Sequence, residues 1–144
     1  MSLTSEVTAL LLADDELTEI LTGGIHDAVE ISRQLTPTAF DPNQEILPCA
    51  LGKTGNENAL QRKISAVQTT LTIFFYERTG FASIDLALGK ALEILAQKHI
   101  GESLIWEIQF NSEIARTTDN ALDCSLAVQR YNVIRQRSTN SIGS

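Results

Sequence analysis

Residues 64–100, ISAVQTTLTIFFYERTGFASIDLALGKALEILAQKHI, decide the fold. Over residues 64–76, Val67, Thr69, Leu71, Ile73 and Phe75 fall on one side of an extended chain. Gln68, Thr70, Thr72, Phe74 and Tyr76 fall on the other. A period of two, rich in β-branched and aromatic residues, marks a half-buried strand. After a turn at Thr79-Gly80 the period changes: Ile84, Leu88, Ala91, Leu92 and Leu95 recur at helical spacing. Ser83 is placed to cap this helix, Asp85 suits its positive end, and Gly101 stands where it would stop. A strand and a helix joined so closely must pack face to face, because neither buries its apolar side alone.

Working outward, Leu3, Val7, Leu10 and Leu11 give residues 3–13 an amphipathic helical pattern. Asp14 or Asp15 caps a second short helix that buries Leu17, Ile20 and Leu21, and Gly23-Gly24 ends it. Residues 25–45 carry poorly phased apolar residues together with Pro37 and Pro42, so an irregular connection is expected there. Residues 46–51, ILPCAL, read as a strand that Pro48 pushes towards an edge or a bulge. Residues 52–60 read as the mobile tip of a hairpin into the central strand.

Beyond the helix, residues 103–111 alternate cleanly, with Leu104, Trp106, Ile108 and Phe110 facing one way and Ile105, Glu107, Gln109 and Asn111 the other. Residues 112–121 are polar and read as a connecting arm. Residues 122–135 form a closing strand in which Leu122, Cys124, Leu126 and Val128 share a face before Tyr131 and Val133 switch phase. That switch predicts a β-bulge near Gln129 and Arg130. The expected class is α+β: an antiparallel sheet of about four strands with a central helix packed on one face and an N-terminal helical segment. One domain is expected over residues 1–137, with 138–144 as a disordered polar tail.

Hydrophobic residues make up 43% of the chain and charged residues 20%, as in ordinary globular domains, and no apolar run is long enough to span a membrane. The N-terminal apolar run lacks the basic flank of a signal peptide. The net charge of −7 is unevenly placed. Before Arg33 stand seven acids (Glu6, Asp14, Asp15, Glu16, Glu19, Asp27, Glu30) and no Lys or Arg, which leaves eleven acids against eleven bases in the remainder. Such a balance opposes tight nucleic-acid binding, which needs cations on phosphates. A solvated helical face accounts for the acids, and an acidic recognition surface is the alternative.

The chain carries no recognisable catalytic or metal-binding constellation. Gly52-Lys53-Thr54 lacks the first glycine of a phosphate-binding loop, since Leu47 stands there. His26 and His99 occupy no ligand spacing; His99 is expected in the last turn of the central helix. Cys49 and Cys124, isolated and within strands, read as buried free thiols, with a disulfide as the alternative. The carboxylates at Asp14, Asp15, Glu16 and Glu19 sit on an exposed helix junction rather than in a desolvated pocket. No cofactor is expected. Arg130, Arg135 and Arg137 form a small basic group, fit either for a partner or for protecting an edge strand.

Four stretches carry a resemblance: "VTALLLADDELTEILTGGI", then "LTIFFYERTG" leading into "SIDLALGKALEIL", then "LIWEIQF", then "ALDCSLAVQRYNVIRQR". In this order the chain resembles the tail-terminator and head–tail joining proteins of long-tailed bacteriophages; "EISRQLTPTAFD" departs from the pattern. The resemblance implies a non-enzymatic virion protein of the neck, assembled in the host cytoplasm. It implies a ring, commonly six-fold, that caps the tail tube and ends its polymerisation. Its partners would be further copies of itself, the tail tube protein, a head connector or head-closure protein, and DNA passing through the lumen without specific binding; no membrane is implied. A closing ring needs a heterologous interface. Its candidate residues are Lys53, Asn56, Glu57, Arg62, Arg116, Asp119, Arg130 and Arg135. The alternatives are another neck or tail component, such as a head-closure protein or tube subunit, and, further away, a small cytoplasmic enzyme or ligand-binding domain.

Overall fold

The computed structural model describes residues 3–55, 58–59, 66–100 and 106–136, with the backbone alone for 58, 59, 66, 67, 135 and 136. The elements in chain order are α1 (Leu3–Leu12), α2 (Asp15–Ile20), β1 (Ile25–His26), a 3-10 turn (Pro37–Ala39), β2 (Cys49–Thr54), β3 (Asn58–Ala59), β4 (Ala66–Glu77), α3 (Ala82–Leu95), β5 (His99–Ile100), β6 (Trp106–Asp119) and β7 (Cys124–Gln136). Among the described residues one sheet has the order β1-β2-β4-β7-β6-β5, and β3 pairs with the outer part of β4. The α+β class therefore holds, but the sheet is larger than the four strands expected. The short strands β1, β3 and β5 extend it, and β1 runs parallel to β2. Two-residue strands carry no periodicity, which is why the pattern missed them.

β4 lies at the centre, paired with β2 on one side and β7 on the other. The two faces of its alternation go to two different clusters. Leu71, Ile73 and Phe75 join Ala50, Ala127, Tyr131 and Val133 beneath the helices, where Val7, Leu11, Leu17, Ile84, Leu88, Ala91 and Leu95 complete the main core. On the opposite face Tyr76 packs with Cys49, Leu51 and Cys124 under Ile31, Ala39, Phe40 and Ile46 of the irregular segment, and Phe74 lies against this group. The segment 27–47 is thus a cover for one half of the sheet's second face.

This second cluster corrects the expected bulge in the closing strand. β7 keeps an unbroken register with β4 from Ser125 to Gln136. Cys124 and Leu126 pack under the 27–47 cover, while Ala127, Tyr131 and Val133 face the helices. The apparent phase switch marks the place where the cover ends, not a break in the strand. The irregularities lie on β6 instead, between Phe110 and Ser112 and between Ile114 and Thr117.

Other boundaries move as well. Residues 112–119, expected as a polar arm, belong to β6, and the turn that follows has Asp123 at φ 53. Its polar composition suits an outer strand whose one pairing partner beyond β7, among the described residues, is the short β5. Gly52, Lys53 and Thr54, expected in a loop, are ladder residues of β2 opposite Ile73, Thr72 and Leu71. His99 lies in β5, not in the helix, because α3 ends at Leu95 and Gln97 turns the chain at φ 61. The expected stop Gly101 and the tail 138–144 lie outside the described residues.

Candidate assembly surface

Cross-strand register assigns side chains to a face, because residues directly opposite each other point the same way. On the face away from the helices the first row holds Cys49, Tyr76, Leu126 and Thr117, and the next holds Leu51, Phe74, Val128 and Ile114. The 27–47 cover packs on the strand residues Cys49, Leu51, Phe74, Tyr76 and Leu126 of these rows. The third row holds Lys53, Thr72, Arg130 and Ser112, and beyond it come Thr70, Asn132 and Gln109. Polar residues dominate here. Asn132 Oδ1 accepts from Gln68 Nε2 at 3.2 Å and from Asn111 Nδ2 at 3.0 Å, and Gln109 Nε2 donates to Glu107 at 3.2 Å.

Lys53 and Arg130 are therefore brought into one row, two strands apart, on the half of the sheet that no described segment covers. Among the described residues neither makes an ion pair. The cations Arg78, Lys90 and Arg116 are engaged with Glu45, with Asp14, Glu16 and Glu93, and with Asp85 respectively. Ile114, 46% exposed, closes the neighbouring row.

The other expected interface residues divide. Arg116 is spent within the chain: its Nη2 lies 2.6 Å from Asp85 Oδ2, and its guanidinium stands over the Phe81 ring at 4.8 Å. Asp119 holds the turn after β6, accepting from Leu122 N at 2.8 Å. Both side chains make contacts within the chain, and that of Arg116 is still largely exposed. Arg135 sits in β7 opposite Val67 and Trp106. Asn56, Glu57 and Arg62 lie outside the described residues.

On the helical side the acidic residues are largely outward. Asp14 caps α2, its Oδ1 accepting from Leu17 N at 2.9 Å, and it also faces Lys90 at 3.8 Å. Asp15, Glu16 and Glu19 are exposed there, Asp27 and Glu30 are exposed at the start of the 27–47 segment, and Leu12, 47% exposed, stands two residues before the cap. Sequence reasoning missed Ile114 because it lies in a stretch that reads as a polar arm, and Leu12 because it falls off the stripe of Leu3, Val7, Leu10 and Leu11; Phe110, grouped with Ile108 in the alternation, is 44% exposed.

Other polar and titratable groups among the described residues make contacts within the chain. His26 Nε2 lies 2.7 Å from Gly23 O in the turn it follows, and His99 faces Glu107 at 3.9 Å. Gln129, fully buried, donates to Leu88 O at 3.1 Å and to Glu113 at 2.9 Å and accepts from the Tyr131 hydroxyl at 2.6 Å, pinning α3 to the sheet. Cys49 and Cys124 are buried free thiols. Among the described residues no group of three His, Cys, Asp or Glu is arranged to hold a metal ion. Two open depressions of about 350 and 360 Å³ meet at Arg78 and Thr79. Among the described residues no helix is long and apolar enough to cross a membrane.

No protein-family model matches the chain, and no curated protein matches it. The fold is similar to a chain in a solved structure described as the virion of a native gene transfer agent particle. The TM-score is 0.63 at 14% identity, over 94% of this chain and 95% of that one.

Proposed function

We propose that the chain is a virion structural protein without catalytic activity, which caps the end of a tail tube as a closed ring and offers a joining surface to the head. The observation that carries this reading is the fold likeness along 94% of the chain to a component of a virion particle. The order of elements gives the same direction as the resemblance in the sequence. An outward surface rich in charge on both sides, with the histidines, thiols and buried glutamine absorbed by the fold, suits an assembly subunit better than an enzyme. DNA would pass such a ring without being held, since the chain carries a net charge of −7.

Light scattering over a concentration series, with negative-stain images, tests the reading. The expected result is a closed ring of defined mass, commonly six-fold, that does not grow and that binds one end of purified tail tubes. Stacking into tubes would point to a tube subunit instead, and a monomer that ignores tube ends would overturn the reading.

A further inference from the structure

We infer that the uncovered half of the sheet, centred on Lys53, Thr72 and Arg130, receives the acidic α1–α2 end of a second copy of this chain. This rests on the ring reading and supplies its contact. The sheet face carries two cations with no ion-pair partner among the described residues, set on strands either side of Thr72. Two strand spacings separate their backbones by about 10 Å. The helical end carries Asp15 and Glu19, exposed and four residues apart on α2, which places them on one side of the helix about 6 Å apart. Two long cationic side chains converge readily on such a pair.

Each surface also has an exposed apolar residue beside its charges: Ile114 next to the Arg130 row, Leu12 two residues before the α2 cap. The pairing is thus of charge with opposite charge and of one apolar residue with another. The two patches lie on opposite sides of the sheet, so neither complements itself. A contact between them is heterologous, the kind that closes a ring when its rotation permits. A second copy is favoured over DNA as the occupant. Two cations on a chain of net charge −7 give little counterion release, and the acidic end would repel phosphates. The matching surface is meanwhile present on every copy.

The test uses paired charge reversals in the full chain. Lys53→Glu with Arg130→Glu makes one variant, and Asp15→Lys with Glu19→Lys makes the other. Each alone should associate at least about 100-fold more weakly than the wild type at low salt, because like charges now face each other. Mixed in equal amounts, the two should restore rings of alternating subunits, since each reversed patch then meets a reversed complement. Far-UV circular dichroism and melting temperature confirm that each variant is folded. If the acidic reversal does not fold, Glu19→Gln with raised salt replaces it and should weaken association in the same direction. Unchanged wild-type-like rings from either reversal would overturn this contact while leaving the ring reading intact. Loss of rings without rescue in the mixture would overturn the pairing. A wild type that shows no association, alone or on tube ends, would remove the ring reading and the contact with it.

Discussion

At the scale of single residues, the two thiols show how burial decides chemistry. Cys49 and Cys124 share the cluster beneath the 27–47 cover. Burial, with a smaller contribution from Cys124, pushes the Cys49 thiol up to about 12, and burial with nearby Asp119 and Asp123 pushes Cys124 up to about 11. A thiolate is the reactive form, so neither group is a nucleophile near neutrality. At pH 8 a thiol reagent should label them only as fast as the chain opens. Labelling at the rate of a free thiol would mean that the cover stands open. The same shifts set a sign for stability. In the unfolded chain a cysteine ionises near 9.0, whereas in the fold it stays protonated to about 11 or 12. Between these values the folded state holds more protons, so stability is complete below pH 9 and falls as pH rises through the folded values. Burial raises the Tyr76 and Tyr131 hydroxyls too, which adds to the decline above pH 10. Urea midpoints measured from pH 8 to 11 should fall, and Cys49→Ala should make the fall shallower.

At the scale of elements, α3 is held by a residue outside itself. Its N-cap position is Phe81, which offers no side-chain acceptor. The expected cap, Ser83, instead donates its backbone N–H to Glu77 Oε1 at 3.0 Å, and Ile84 N–H donates to the same oxygen at 3.1 Å. The last residue of β4 thus satisfies two of the helix's free donors and sets a negative charge at its positive end. Glu77→Ala should cost about 1 kcal/mol in denaturant unfolding, with Glu77→Gln costing less because it keeps an acceptor. Equal stability in all three proteins would show that water replaces the carboxylate without loss. What was legible at this scale follows period and length. The alternation of β4 and the stripe of α3 could be read, since in each the face that joins the main core is apolar. The second face of β7 could not, because its partner is an irregular segment that covers Leu126 but ends before Arg130. Lys53 and Arg130 were named from sequence as interface residues, yet their alignment through Thr72 depends on register between strands distant in sequence. The capping oxygen of Glu77 escaped for a related reason: it stands before the turn, beyond any local capping pattern.

At the scale of the whole molecule, the sheet is shared by two clusters that would otherwise be separate. β2, β4 and β7 each place side chains in both, Ala50, Phe75 and Tyr131 under the helices and Cys49, Tyr76 and Cys124 under the 27–47 cover. Removing either layer exposes one side of the same strands, so the two should unfold together as one cooperative unit. The chain carries its own reporters for this. Trp106, the single tryptophan, packs against the helical cluster, and the two cysteines lie in the other. Phe40 is a buried anchor of the cover. Phe40→Ala should cost about 3 kcal/mol. If the layers are coupled, the denaturant midpoints from tryptophan fluorescence and from thiol labelling coincide in the wild type, and both move by the same amount in the variant. If only the thiol transition moves, the 27–47 segment opens independently, and residues 1–137 do not behave as the single cooperative domain expected of them. The outcome bears on assembly as well. A cover that opened by itself would expose Leu51 and Phe74 beside the row of Lys53 and Arg130, and any ring contact would then have to compete with that opening. A cover locked to the core instead presents one fixed edge against which a neighbouring copy can dock.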